Sequence, residues 1–204
     1  MIMPGQIKSR IVLFLILTVV SGLSGCRKAP VPKPRAYFRI DLPAKGYVVF
    51  SGMDDSLKLP LKFEYPKYGV ISTNSGNPEQ GWFNIEFPGY RASLHLTYKD
   101  VRGDLEELVE QTYTMNVKNH ITKADAINEQ VIIDPEKRIF GIFYDLKGNT
   151  ATAVQFYVTD SAEHYLRGSL YFESEPNADS LAPVIDFFRE DVVHLIETLE
   201  WKRK

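Results

Sequence analysis

Three segments in the second half of the chain constrain its fold more than any other feature. Phe140, Ile142, Tyr144 and Leu146 alternate along the first. Thr152, Val154, Phe156 and Val158 alternate along the second, and Leu166, Leu170 and Phe172, with Gly168 between them, along the third. A period of two is the pattern of a strand with one buried face. Only Gly148-Asn149 and Asp160-Ser161 mark the turns between them. Connections so short can join antiparallel neighbours but not parallel ones. The sequence therefore predicts a three-stranded meander.

The remaining elements follow from the same reasoning. Leu61 to Tyr65 is a short strand closed by Pro66. Trp82 to Phe87 alternates and stops at Pro88-Gly89, and Ala92, Leu94, Leu96 and Tyr98 alternate with Ser93, His95 and Thr97. These two form a hairpin across Pro88-Gly89-Tyr90. Ile127 to Asp134 is a further strand. Asp104 to about Asn119 reads as a helix, with Asp104 and Glu107 spaced as a capping box and Leu105, Leu108, Val109, Thr112 and Tyr113 on one face. The last element starts with Ser180 as N-cap and Pro183 in the first turn. Its residues Leu181, Val184, Ile185, Phe188, Val192, Leu195, Ile196 and Leu199 recur at helical spacing. A stripe that wide must lie on a sheet. The fold class is α+β: an antiparallel sheet of about six to seven strands flanked by two main helices.

The beginning of the chain reads as an address. Lys8 and Arg10 precede the apolar run Ile11 to Val20, which with Ser21 to Gly25 ends in small residues. That run is shorter than the roughly 20 residues a membrane span needs, and its layout is that of a secretory signal. It closes on Leu23-Ser24-Gly25-Cys26, the pattern of a bacterial lipobox, in which the cysteine is lipidated and becomes the new first residue. Residues 1–25 are thus expected to be a lipoprotein signal peptide. Residues 26–36 are expected to be the lipidated Cys26 with a basic tether, and 37–204 a single globular domain. Pro30, Pro32 and Pro34 favour an extended spacer holding the domain roughly 25–30 Å from the bilayer.

Composition narrows the function classes. Hydrophobic residues are 44% and charged residues 25%, which excludes a polytopic membrane protein and a disordered tail. Removing the signal takes the basic count from 24 to 22 against 26 acids, a charge of −4. Nothing in that balance points to a nucleic-acid partner. Cys26 is the one cysteine, so no disulfide within the chain and no cysteine metal cluster can form.

The search for chemistry finds little. No phosphate-binding glycine loop, dinucleotide fingerprint, zinc-protease helix or nucleophile elbow is present. The histidines, His95, His120, His164 and His194, show no helical pair spacing for a metal. Asp160, Ser161 and His164 share one turn, which reads as an Asp-Ser turn opening a strand rather than a triad fragment. Arg102-Gly103-Asp104 is a turn feeding Asp104. No catalytic set, metal or cofactor is expected. Ser72 to Gly81 is a polar loop running into Trp82. Trp82 reads either as core or as an interface anchor. Arg91 and Arg167 are expected on outward strand faces as a polar patch. Trp82, Arg91 and Arg167 are therefore the candidate partner-binding residues.

Several stretches together carry a family resemblance. They are Pro32 to Pro43 just after the lipobox, Trp82-Phe83-Asn84-Ile85, Leu94 to Lys99, His120 to Ile127, Leu166 to Phe172, Asp179 to Val184 and His194 to Thr198. With them the chain resembles the gliding motility lipoprotein GldD family across the lipobox and nearly the whole mature chain. It departs from related sequences in lacking a cysteine between Ser72 and Gly81. The resemblance implies a lipoprotein needed for gliding motility and for the linked type IX secretion machinery. The implied partners are other proteins of that envelope machinery, with the membrane reached through the lipid anchor. It implies no catalytic residues. In such bacteria surface export of lipoproteins goes with an acidic stretch after the cysteine. Arg27-Lys28 stand there instead, so the implied location is the periplasmic face of a membrane. The order of elements is also similar to the PsbP/Mog1-like fold, an analogy of fold alone. The rival expectation is a carrier or hydrolase of lipid or cell-wall fragments with a pocket between sheet and helix.

Overall fold

The structure, a computed structural model, describes residues 40–52, 57–73, 81–173 and 178–202. The signal, Cys26, the tether and the centre of the Ser72–Gly81 segment, residues 74–80, lie outside them. The strands are β1 (Tyr47–Ser51), β2 (Leu61–Pro66), β3 (Val70–Ser72), β4 (Trp82–Phe87), β5 (Ala92–Asp100), β6 (Ala126–Asp134), β7 (Ile139–Lys147), β8 (Thr152–Thr159), β9 (His164–Phe172) and β10 (Glu200–Trp201). The helices are α1 (Leu105–Tyr113), extended by a π-helical turn over Thr114–Lys118, and α2 (Ala178–Glu197).

The main sheet has seven strands in the order β3-β4-β5-β9-β8-β7-β6, all antiparallel. The predicted meander is its β7-β8-β9 part. The short strand at Leu61 does not join it. It is the centre of a second sheet, β1-β2-β10, closed by a strand of two residues after α2.

Register divides the main sheet into two faces. On the first, Phe83, Ile85 and Phe87 of β4 stand opposite Leu96, Leu94 and Ala92 of β5, and these opposite Gly168, Leu170 and Phe172 of β9. The α2 stripe of Val184, Phe188, Val192, Leu195 and Ile196 buries itself there, together with Phe50, Leu61 and Phe63 of the small sheet. Rings fill the interface where the rival expectation puts a pocket. Phe188 lies 4.6 Å from Phe87, 5.6 Å from Tyr90 and 6.1 Å from Phe172, centroid to centroid. Gly168 belongs to this packing, because a Cβ there would stand 2.2 Å from the Phe156 ring. On the second face Tyr144, Leu146, Tyr157 and Tyr165 pack against Leu108 of α1 and Val117 of the π turn. The amphipathic face predicted for α1 thus covers the opposite side from α2, with Thr112 Oγ1 2.6 Å from Tyr165 Oη.

Several local expectations are corrected. Asp104 is the N-cap of α1, but its side chain makes no cap bond; Oδ1 accepts from the Arg102 N–H instead, so the capping box does not form. The tight turn behind the residue claims the oxygen first. The helix does not run regularly to Asn119: the Asn119 N–H bonds five residues back to Thr114, the spacing of a π-helix. α2 starts at Ala178, so Ser180 is not its N-cap and Pro183 lies inside it. The proline gives up one ladder bond near the helix start, where the downstream stripe holds the helix to the sheet. Thr152 does not share a face with Val154. A bulge pairs Thr152 with Tyr171 and Val154 with Leu170, moving Thr152 to the second face.

Candidate functional site

Helix α1 and its π turn cover only part of the second face, over β7, β8 and β9. The part built from β4, β5 and β9 carries polar side chains. Trp82, Thr97 and Arg167 stand opposite one another across these strands, and Asn84, His95 and Ser169 form the next row. With Phe83, Leu96 and Tyr171 they line a cavity of about 250 Å³. Gly81 lets the chain enter β4 beside it. Its φ is +103°, and a Cβ would stand 2.2 Å from the Tyr98 carbonyl oxygen.

The cavity walls are tied into a network. Asn84 Nδ2 and Ser72 Oγ both donate to Glu86 Oε1, at 3.0 and 3.1 Å. His95 Nε2 is 3.1 Å from Ser93 Oγ, and its ring lies 4.9 Å from that of Tyr171. Arg167 Nη1 donates to Met115 Sδ at 3.1 Å, while Nε is buried and unpartnered. Burial holds this guanidinium below its ordinary pKa, against the opposing influence of Tyr171 and Tyr165.

Two of the three candidate partner-binding residues therefore meet, and the third does not. Trp82 is 48% exposed and is not core. An edge-proximal strand position on the face away from α2 has nothing to bury it. Arg167 is not on an outward solvated face, because the π turn sets Met115 over it. Arg91 belongs to no strand. It sits in the turn before β5 with φ +48°, an exposed side chain 3.6 Å from Glu173 Oε2, and lines none of the cavity.

The histidines each have a local partner. His120 Nδ1 is 3.0 Å from the Met115 carbonyl, His164 Nδ1 2.8 Å from Tyr98 Oη, and His194 Nε2 2.7 Å from Glu64 Oε2. Among the described residues no group of three or more His, Cys, Asp or Glu is placed to hold a metal ion. The Asp160–His164 turn is a scaffold. Asp160 Oδ1 accepts from the N–H groups of Ala162, Glu163 and His164 at 2.8–3.0 Å, and Ser161 takes φ +66°.

That turn yields a prediction. Burial alone would raise the Asp160 pKa, but the three backbone donors outweigh it and hold it below 3.8. A depressed carboxyl adds stability above its unfolded pKa and loses it as pH falls through the folded one. Asp160→Ala is expected to cost about 1–3 kcal/mol near neutral pH, since it orphans buried donors. The gap to wild type should shrink below the ordinary carboxylate range. Urea melts of both proteins at neutral pH and near pH 3 check it; a gap unchanged by acid would refute the assignment.

Sequence reasoning missed one polar cluster. Asp191, buried on α2, accepts from Lys45 Nζ at 2.7 Å, from Tyr47 Oη at 3.0 Å and from Tyr68 Oη. Burial, then the bond to Asp191, pushes Tyr47 up to about 12 and Tyr68 higher still. Lys45 also stands 3.5 Å above the Phe187 ring, and His194 stacks on Tyr47 at 3.6 Å. This cluster pins the start of the described chain to α2. A hint was available, since Asp191 directly precedes Val192 of the apolar stripe, but its partners lie more than a hundred residues away.

The described helices include none long and apolar enough to cross a membrane. The sequence profile of the gliding motility lipoprotein GldD family matches residues 27–201. The chain belongs to that family. It is accordingly a gliding motility lipoprotein, attached to a membrane through lipid and acting with other components of the motility machinery. The match begins one residue after Cys26 and covers both sheets, both helices and the β4–β5–β9 cavity. No curated protein matches the chain.

Proposed function

We propose that this GldD-family lipoprotein is a non-catalytic docking component, facing the periplasm, of the gliding machinery and the linked type IX secretion apparatus. Its anchor is Cys26 and its body the domain beyond the basic tether. The observation that carries the docking role is the free edge of the main sheet. Among the described residues β6 pairs only with β7. Val131 and Ile133, side by side on its second face, are 71% and 67% exposed. They continue, through Ile142 and Phe140 of β7, an apolar strip running inward. A nine-residue edge strand with exposed β-branched side chains is what an incoming extended segment extends.

The test is a full-length double variant, Val131→Lys with Ile133→Lys. Both side chains face solvent, so the melting temperature should stay within a few degrees of wild type. Complementation of gliding and of secretion should be lost. A variant that restores wild-type gliding would remove β6 as the docking edge.

A further inference from the structure

The cavity on the second face holds a charge that no described carboxylate pairs with. No carboxylate among the described residues pairs with Arg167; the groups that act on it are the phenols of Tyr171 and Tyr165. Among the described residues its hydrogen bond goes to a thioether, a weak acceptor. Two more orphaned groups belong to neighbouring elements, though neither lines the cavity. Asn116, wholly buried in the π turn beside Met115, has both amide atoms unpartnered, and Gln155 Nε2, opposite Ser169 in the sheet, has none either. Charged and polar groups held out of water without partners are costly, and native structures keep them where a ligand or water completes them. A π-helical turn beside it, reaching Arg167 through Met115, is a second mark of the same kind.

We propose that the cavity between β4, β5 and β9 binds a small hydroxylated carboxylate, an acidic sugar being the class it fits, with Arg167 pairing the carboxylate. A single guanidinium matches a single negative charge, and among the described residues no acidic side chain lines the cavity. Phosphate sites gather several cations or free backbone N–H groups; here the strand backbones are paired in the ladder. Thr97, Ser169 and Asn84 supply hydroxyl and amide partners, and the half-exposed Trp82 indole offers a flat apolar face for a sugar ring. A volume of about 250 Å³ equals the share of roughly eight waters, a monosaccharide's size. This site is separate from the β6 edge, and either can fail alone.

The test is isothermal titration calorimetry on the full-length lipoprotein in detergent, with D-glucuronate as probe and D-glucose and inorganic phosphate as comparisons. Glucuronate is expected to bind at least about tenfold more tightly than either. Arg167→Met should weaken glucuronate by about tenfold or more while melting at or above wild type, since it removes a partly buried charge that no described carboxylate pairs with. Trp82→Ala, at an exposed position, should weaken it without unfolding the domain. The proposal is overturned by no glucuronate heat at tens of millimolar, by equal binding to Arg167→Met, or by a preference for phosphate. A sharply lowered melting temperature for Arg167→Met would mark a structural arginine and overturn it equally.

Discussion

Leu195→Asp is expected to leave the domain unable to hold its native fold. Leu195 is 1% exposed, in the stripe of α2 that covers the first face of the main sheet. Losing the side chain alone costs about 2–5 kcal/mol at such a site. A carboxylate in its place adds the penalty of a buried charge without a partner. Domains of this size hold only about 5–15 kcal/mol in total. Rapid cleavage in limited proteolysis and loss of the cooperative thermal transition are the expected results. A melting temperature within about two or three degrees of wild type would mean that α2 does not seal the core.

Cys26→Ser is expected to abolish lipid modification and release the protein from stable membrane attachment. Each acyl methylene buried in a bilayer contributes about 0.8 kcal/mol, so multiple chains hold a protein that a basic tether alone does not. No described helix can replace them. Metabolic labelling with a palmitate analogue reads the modification directly, and fractionation reads the attachment. Undiminished labelling of the serine variant would end the assignment. The two variants separate anchor from body: Leu195→Asp should still be labelled, and unanchored Cys26→Ser should still fold.

Periodic signals within one element were legible in the sequence. Alternation at Trp82–Phe87, Ala92–Tyr98, Ile127–Asp134 and the three meander segments gave strands, because side chains on a strand change face at every residue. The α2 stripe gave a sheet-covering helix because its apolar residues recur at every turn. Errors fall at helix starts and where neighbours in space decide. The bulge that moved Thr152 comes from one extra residue between β8 and β9, and alternation within one strand cannot reveal its partner's register. The capping box failed because the Arg102 N–H competes for Asp104.

The candidate site divides along the same line. The sequence by itself determined the α+β class and the helix that seals the core. Each rests on spacing or chemistry within a short stretch. Tertiary structure alone decided that Trp82 and Arg167, 85 residues apart in sequence, face one cavity while Arg91 does not. It also gave Asp191 its partners from Lys45, Tyr47 and Tyr68. It set β1, β2 and β10 apart as a second sheet and, among the described residues, left β6 paired on one side alone. Periodicity tells a strand which face to bury, but only long-range pairing tells it which strand will lie beside it.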